Sequence, residues 1–499
     1  MDSIEAAGLF SKAKSAIASF VTGNELKARV FRGGAWLGIG SVSEQSLRFA
    51  RNMVLARLLA PSAFGTMAIV MSAAALLQSF TELGVREGLI QNPRGAEPAY
   101  VNAAWWMGLI RSISIYLALF VGAPWVAKFY GNPDLTSLLR VATASLVLEG
   151  AISTRAYVAM KEMKFNRWAT IQHGGGIIGV IITIILGFVL RDVWALVLGT
   201  CAESAARCLL SFAICPFFPS IKIDRAALRH LLQFSKGLFG LAPLYIIFMR
   251  ADIFVLGKLV SASTLGYYAM GIAVAQVPSF FLANLLGQIF MPALSHVQTD
   301  RLRTRRIVLQ VTTAIVLLGM PAVVFSYFCG RPLLTLLYGP NYAVATGALF
   351  LASCGAVVTL VNNPINTALY ASGHPQLHRR CVIAMAIVMM ILTYPLAKWL
   401  GPVGAQSASV ISIVVGFLVQ FPIARRLIEV KFGDYGKIFM HAAMVSSGVA
   451  VICLAARMAD AITHPLLTVA LGLFGCLLAY GFVGVRLLRN PGLVQDYSN

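Results

Sequence analysis

The strongest constraint on the fold is a series of apolar blocks, each about twenty residues long, that follow one another along almost the whole chain. A helix of about 20 residues crosses a hydrocarbon core of about 30 Å, so each block has the length of one membrane crossing. Charged residues make up only 12% of the 499 positions, whereas soluble proteins carry about 25%. The pattern excludes a disordered chain, a coiled coil and an ordinary cytosolic enzyme, and it predicts an all-α polytopic membrane protein.

Fourteen transmembrane helices are predicted, arranged as two pseudo-symmetric lobes of six that are followed by two extra C-terminal helices. Residues 1–33 are predicted to form a cytoplasmic leader, either an amphipathic helix on the membrane surface or a disordered segment, and residues 216–236 are predicted to form a basic cytoplasmic linker. The first lobe comprises 34–215, the second comprises 237–426, and 427–499 holds the last two spans and a cytoplasmic tail. The predicted spans lie near 34–57, 62–84, 99–127, 137–159, 168–190, 193–215, 237–259, 263–290, 305–329, 345–371, 378–398, 402–425, 438–457 and 463–485.

The chain has a net charge of +21, and its basic residues are spread unevenly among the predicted loops. In a soluble protein this charge would suggest a nucleic-acid partner. Here Lys and Arg concentrate in alternate short loops, which is the positive-inside pattern, while each opposite loop holds a single basic residue. We therefore predict that both termini are cytoplasmic and that nucleic acid is not a partner. The opposite loops carry Arg57, Lys128, Arg191, Lys258, Arg331, Lys398 and Arg457.

The eight cysteines show neither metal-ligand nor disulfide spacing. Cys201, Cys208 and Cys215 recur every seven residues on one helical face, and the other five are scattered through apolar blocks. This distribution is typical of small packing residues. No metal site and no cofactor are predicted.

Two segments match without gaps at an offset of 201 residues. Residues 54–65, VLARLLAPSAFG, parallel residues 255–266, VLGKLVSASTLG, and each segment ends one predicted span and opens the next. Because each half has six spans, the halves face the same way, and parallel repeats of this kind usually place a substrate site between them. Two weaker sequence similarities follow in the same order: residues 130–132 resemble 338–340, and residues 191–195 resemble 401–405.

Arginines within the predicted spans are the main functional signal. Each costs about 2.5–3.5 kcal/mol at the centre of a membrane helix, so it must face water, a counter-ion or an anionic ligand. Seven arginines lie within spans, and the acids Glu44, Glu149, Glu203 and Asp252 can offset only four. The surplus predicts a cationic cavity that attracts an anion, with these acids as charge partners or coupling groups; alternatively, the pairs only hold helices together. One of the seven, Arg140, lies near a span end, where its side chain can reach the membrane surface, so it is set aside. The anion-binding candidates are the other six in-span arginines together with Arg86: Arg48, Arg51, Arg86, Arg111, Arg155, Arg207 and Arg250.

Helical spacing predicts which of these charges meet. Glu44, Arg48 and Arg51 fall at i, i+4 and i+7, so they share one face of the first span. Glu203 and Arg207 are an i, i+4 pair on the sixth span.

Neutral polar side chains form a second signal. Asn362, Asn366 and Tyr370 share one face of the tenth span, with Asn363 and Thr367 adjacent, and the eighth span has a similar polar face. Amides in hydrocarbon often bond helices to one another. The functional alternative is hydrogen bonding to sugar hydroxyls. The glycan-contacting candidates are Asn284, Gln288, Asn362, Asn363, Asn366 and Tyr370.

Short motifs occur in a fixed order between about residues 30 and 430. They are GAW at 34–36, RLLAPSAFG at 57–65, LGVREGLIQ at 83–91, Asp252 with Leu256-Gly257, LGYY at 265–268, FMPALS at 290–295 and LLYG at 336–339. Together they resemble the bacterial polysaccharide-transport flippases, the Wzx-like group of the multidrug/oligosaccharidyl-lipid/polysaccharide exporter superfamily. Tyr342 departs from the pattern, because a tryptophan is expected there.

The resemblance implies two six-helix lobes around a central cavity that opens alternately to each side of the bacterial inner membrane. It implies a substrate of oligosaccharide repeat units on undecaprenyl diphosphate, of the exopolysaccharide, capsule or O-antigen type. Implied partners are membrane lipids and the polysaccharide polymerase or export machinery. A diphosphate would match the surplus arginines.

Three other functions are weighed against this one. A peptidoglycan-precursor (lipid II) flippase shares the fold and the charge argument. A multidrug or cation antiporter of the same superfamily would need a cavity with excess acid, and this chain has excess base. A membrane enzyme usually needs a sizeable catalytic loop, and the predicted outer loops are short, so no enzymatic activity is predicted.

Overall fold

A computed structural model describes residues 25–80, 84–236, 241–295, 300–371, 375–459 and 465–489. Most of the predicted leader lies outside these residues. Within them the chain forms seventeen α-helices, one 3-10 helix at Pro340–Ala345, and no strand. The helices are α1 Glu25–Leu58, α2 Pro61–Phe80, α3 Val85–Gln91, α4 Pro98–Tyr130, α5 Leu135–Ala142, α6 Ala144–Gly150, α7 Arg155–Lys161, α8 Phe165–Leu190, α9 Trp194–Ile214, α10 Arg225–Lys236, α11 Leu241–Leu259, α12 Ala262–Ser295, α13 Arg301–Tyr338, α14 Thr346–Ala371, α15 Pro375–Ile428, α16 Phe432–Ala459 and α17 Pro465–Arg489.

The helices group into two compact units. The first unit comprises the described residues of Met1–Asn52, Thr81–Ala127 and Pro133–Phe239. The second comprises those of Met53–Phe80, Lys128–Asn132 and Gly240–Asn499. Its largest apolar core is formed by α13, α14, α15 and α16.

The helices confirm an all-α membrane protein that crosses the bilayer many times. In the described ranges ten helices are long and apolar enough to span a membrane, or eleven if one bent pair is counted as a single span. Helices α1 and α11, at the first and seventh predicted spans, are not among the ten. Each carries at least three charged residues, which in α11 are Arg250, Asp252 and Lys258.

Helix α15 contains a break that divides it into two lengths. Its 54 residues include Gly401, whose φ of 58° and ψ of −135° are not helical. Glycine adopts a positive φ without the steric penalty that a Cβ imposes. Each side of the break exceeds the roughly 20 residues that one crossing needs, and the break lies between the predicted spans at 378–398 and 402–425.

The predicted fourth span, 137–159, differs from expectation because it is not one continuous helix. Helices α5 and α6 form one arm, α7 forms another, and the two arms are bent by 54°. At the bend, Ser153 Oγ donates to the Cys215 carbonyl (2.7 Å) and Thr154 Oγ1 donates to the Val101 carbonyl (2.9 Å). Hydroxyl side chains that bond other backbone groups compete with continuation of the helix.

The two copies of the repeated segment pack against each other within the second unit. A Cβ at Gly65 would overlap the backbone carbonyl of Ala262, and a Cβ at Gly266 would overlap the backbone carbonyl of Pro61. Ala262 is the counterpart of Pro61 and Gly266 is the counterpart of Gly65 at the offset of 201 residues. The contact is therefore reciprocal, as in a two-fold crossing, and glycine permits the close approach of α2 and α12.

Substitution of either glycine by alanine is expected to lower stability. The added methyl group meets a backbone carbonyl that cannot rotate away, and overpacking of this kind costs about 1–3 kcal/mol. The measurement is the melting temperature of the purified protein. Gly448→Ala is the matched control, because its Cβ would meet no atom within 4 Å in α16; equal melting temperatures for Gly65→Ala and Gly448→Ala would contradict the close crossing.

Candidate functional site

Four charged side chains form an ion-pair cluster in the first unit. Arg48 on α1 donates from Nη2 to Glu44 Oε1 (2.8 Å) and also pairs with Glu203 on α9. Arg207 donates from Nη2 to Glu203 Oε1 (2.7 Å) and to Glu44 Oε1 (3.2 Å). His173 Nδ1 on α8 lies 2.7 Å from Glu44 Oε2. Two predicted i, i+4 pairs are thus joined into one network that spans three helices.

Glycines on α8 make room for this ion-pair cluster. A Cβ at Gly176 would overlap the Glu44 carboxylate, and a Cβ at Gly179 would overlap the Glu203 side chain. Gly175 and Gly179 are buried. The glycine-rich stretch therefore lets charged side chains from α1 and α9 lie directly against the backbone of α8.

Arg51 has a different environment from Arg48 and Arg207. It donates from Nε (3.3 Å) and Nη2 (3.1 Å) to Asn52 Oδ1, and it makes no ion pair within the described residues. The two carboxylates of the cluster balance the charges of Arg48 and Arg207. Arg51 therefore supplies a positive charge that this cluster does not neutralise.

Within the described residues, Arg86 and Arg155 have partners outside the ion-pair cluster. Arg86 is exposed on the short helix α3 and pairs with Glu87 (2.6 Å). Arg155 is exposed at the start of α7, beyond the bend, where it donates to the Pro216 carbonyl (3.4 Å). Arg111 is half-buried on α4. Among the acids, Glu149 accepts from Ser204 Oγ (3.3 Å).

A buried polar network in the second unit surrounds Asp252. Tyr268 on α12 donates its hydroxyl proton to Asp252 Oδ2 (2.6 Å), and the Gln406 side-chain oxygen on α15 lies 3.0 Å from the same hydroxyl. The Ile253 backbone N–H donates to Asp252 Oδ1 (2.8 Å). Arg250 is half-buried on the same helix and takes no part in these hydrogen bonds. Burial of Asp252, Tyr268 and Gln406 makes this a hydrogen-bonded carboxylate inside the helix bundle.

A cavity of about 310 Å³ lies in the second unit beside the polar face of α14. Gln420 on α15 donates from Nε2 to Asn366 Oδ1 (2.6 Å) at its edge. Asn362 differs from expectation, since it is buried and does not line the cavity, while its neighbour Asn363 does. The side chains of Asn284 and Gln288 lie outside the described part of the structure. The cavity is lined by Ala283, Val311, Ile315, Leu360, Asn363, Pro364, Asn366, Thr367, Tyr370 and His378.

A comparison of the sequence with known protein families identifies the family to which the chain belongs. Residues 54–346 match the family described as polysaccharide biosynthesis protein. The matched range covers more than half of the chain and includes both copies of the repeated segment. The chain belongs to this family. The match confirms the resemblance to polysaccharide-transport proteins that the motifs predicted.

Two bacterial proteins are similar in sequence to this chain over more than 60% of its length. The lipopolysaccharide biosynthesis protein WzxC of Escherichia coli (strain K12) is 22% identical over 397 residues, which is 79% of each chain. The succinoglycan biosynthesis transport protein ExoT of Rhizobium meliloti (strain 1021) is 22% identical over 319 residues, covering 63% of this chain and 64% of that protein. Both names concern the synthesis or transport of polysaccharides.

A solved structure shares the fold of this family member. The lipid II flippase MurJ in an inward closed conformation superposes with a TM-score of 0.73, at 14% identity, over 91% of this chain and 99% of its own. At that identity the likeness shows the fold alone.

Three site residues were missed by the sequence analysis. His173 and Gln406 carry no local signal, because their partners Glu44 and Tyr268 are more than a hundred residues away in sequence. Tyr268 belongs to the LGYY motif that carries the family resemblance. Its role as a partner of Asp252 becomes visible only when α11 and α12 are placed side by side.

Proposed function

We propose that this protein is a flippase that moves oligosaccharide repeat units on undecaprenyl diphosphate from the cytoplasmic to the outer leaflet of the bacterial inner membrane. The observation that carries the proposal is a match to a polysaccharide biosynthesis family by a chain whose described part holds ten helices long and apolar enough to span a membrane. A transporter rather than an enzyme fits this combination. The product would be an exopolysaccharide, a capsule or an O-antigen, and the polymerase or export machinery would receive the flipped units.

The proposed topology has fourteen crossings with both termini in the cytoplasm. Charged helices α1 and α11, the bent pair and the two lengths of α15 supply the crossings beyond those of the uninterrupted apolar helices. The reciprocal crossing of the repeated segments supports two like lobes that move by alternating access. An inside-negative potential favours outward movement of an anionic headgroup by about 2.3 kcal/mol per charge per 100 mV.

The proposed headgroup site is cationic. Arg51 in the first unit and Arg250 in the second are the leading candidates for a diphosphate contact, each by itself, since neither makes an ion pair within the described residues. Arg48 and Arg207 contribute through the ion-pair cluster, and Arg111 is a further candidate. Glu44, Glu149, Glu203 and Asp252 are proposed as charge partners or coupling groups.

Deletion of the gene, followed by leaflet-resolved analysis of lipid-linked sugars, tests the proposed function. Completed repeat units should accumulate on the cytoplasmic leaflet, and a plasmid copy of the gene should restore the outer-leaflet pool. Accumulation of incomplete units would indicate an enzyme instead. Accumulation of the peptidoglycan precursor would indicate a lipid II flippase. If deletion changes neither the repeat-unit pool nor the peptidoglycan-precursor pool, a drug antiporter would be favoured.

A further inference from the structure

The cavity beside α14 has a mixed lining, half apolar and half polar, and no described lining side chain is an acid, a lysine or an arginine. Its ten described lining residues comprise five apolar side chains, two amides, a hydroxyl, a phenol and an imidazole. We infer that this cavity is a subsite for one uncharged pyranose ring of the transported glycan. The inference rests on the proposed flippase function and adds the chemical class of sugar that the second unit accepts.

The absence of charge from the lining selects against acidic sugars. A uronate or pyruvylated ring would exchange part of its water shell for contacts with a lining in which no described residue is an arginine or a lysine. Burial of a carboxylate without a cationic partner is strongly unfavourable. Neutral hydroxyl groups need only hydrogen-bond partners, and the lining supplies them.

Polar groups at the cavity are held in defined positions. The Asn366 amide oxygen is occupied by Gln420, which fixes the amide plane. Thr367 Oγ1 donates to the Asn363 carbonyl (2.9 Å), so the hydroxyl oxygen remains an acceptor. His378 Nδ1 is buried and has no hydrogen-bond partner within the described residues. A buried polar atom without a partner is unfavourable unless a ligand satisfies it.

An aromatic pair completes the lining. The rings of Tyr370 and His378 lie 5.5 Å apart between centroids, at 56° to each other. Tyr370 offers an apolar ring surface to the C–H groups of a sugar together with a polar hydroxyl. The volume of about 310 Å³ is at the lower end of the roughly 300–1,000 Å³ range of ligand pockets. The cavity therefore suits one ring and not a complete repeat unit.

Saturation-transfer NMR on the full-length protein in lipid nanodiscs tests the subsite. The probes are the neutral methyl α-pyranosides of glucose, galactose and mannose, and the matched methyl glycosides whose C6 is a carboxylate. At least one neutral probe is expected to receive saturation, with binding about tenfold tighter than that of its uronate partner. Absence of transfer to every neutral probe, or equal transfer to both members of each pair, overturns the inference.

Two variants separate recognition from misfolding. Asn366→Leu should weaken binding of the neutral probe by about tenfold, because it removes an oriented amide. Asn363→Arg should gain binding of the uronate probes, because it brings a guanidinium to the lining; a gain cannot result from unfolding. Asn362→Leu is the matched control on the same helix, since Asn362 does not line the cavity, and it should bind as wild type. Unchanged probe selectivity in both cavity variants contradicts the subsite.

Export measurements keep this inference apart from the proposed function. If the wild-type gene restores flipping in the deletion strain but Asn366→Leu and Asn363→Arg bind sugars as wild type, the subsite is wrong and the flippase function stands. If the wild-type gene does not change the leaflet distribution of lipid-linked sugars, the proposed function fails regardless of the NMR result.

Discussion

Replacement of Arg51 by glutamine is expected to reduce polysaccharide export by about tenfold to a hundredfold and to leave the melting temperature nearly unchanged. A hydrogen bond to a charged group contributes about 1.5–3 kcal/mol, which corresponds to that range in headgroup binding. Arg51 bonds only to its neighbour Asn52 and makes no ion pair in the described part of the chain. Its removal therefore leaves no carboxylate of the ion-pair cluster without a partner.

The assay compares surface polysaccharide and leaflet-resolved lipid-linked sugars in a deletion strain that expresses each variant. Arg51→Lys keeps the positive charge but cannot make the bidentate hydrogen bonds of a guanidinium. This variant should therefore retain part of the wild-type export activity. Arg457→Gln is the matched control, because Arg457 is exposed in the last turn of α16. Wild-type export by Arg51→Gln, or an equal loss in Arg457→Gln, would refute a headgroup contact at Arg51.

Arg250→Gln should give the same phenotype as Arg51→Gln if both cations contact the diphosphate. Arg250 is half-buried on α11 and makes no ion pair within the described residues. Arg48 is not an equivalent test of cargo binding. It pairs with both Glu44 and Glu203, so a loss of export in its variants would mix headgroup binding with stability.

The helices could be predicted from the sequence because membrane helices satisfy their own backbone hydrogen bonds, so an apolar length of about 20 residues is nearly sufficient information. The bend at 151–154 could not be predicted in the same way. It depends on Ser153 and Thr154, whose hydroxyls bond to the carbonyls of Cys215 and Val101. These acceptors are more than fifty residues away in sequence, so only the folded structure identifies them.

The candidate site was predictable only where the contacts are local. The pairs Glu44 with Arg48 and Glu203 with Arg207 follow from i, i+4 spacing. The link between Arg48 and Glu203 joins residues 155 positions apart and depends on how α1 and α9 pack on the glycines of α8. The number of in-span arginines in excess of in-span acids could be counted from the sequence. Which arginines remain without a carboxylate partner could not, because that depends on ion pairs between helices.

Neighbouring amides on α14 illustrate the limit of helical periodicity. Asn362, Asn366 and Tyr370 were predicted to share a face at i, i+4 and i+8, yet Asn363 lines the cavity and Asn362 is buried. A helical face is broad, and adjacent residues differ by about 100°. The neighbouring helices decide which edge of the face borders a cavity, and Pro364 lies within this stretch of α14.

The ion-pair cluster gives the second large prediction, which concerns stability. Glu203→Gln should lower the free energy of unfolding by about 3 kcal/mol, because removal of one partner from a buried pair leaves an uncompensated charge. Arg48 and Arg207 would then share only Glu44. We choose the lower end of the usual range of about 3–5 kcal/mol because the side chains of the cluster keep 11–27% of their surface exposed.

A double-mutant cycle tests whether the loss arises from charge imbalance. Glu203→Leu with Arg207→Leu restores neutrality, since Glu44 and Arg48 remain as a pair, and apolar replacement of a buried ion pair is often neutral or stabilising. The double variant should therefore have a higher melting temperature than either single variant, so the melting-temperature shifts of the two single variants should not add. The readout is tryptophan fluorescence of the purified protein during heating at a fixed scan rate, because thermal unfolding of membrane proteins is often irreversible. If the two single effects simply add, Glu203 and Arg207 do not stabilise one another, and the network across α1, α8 and α9 is not what holds these charges within the bilayer.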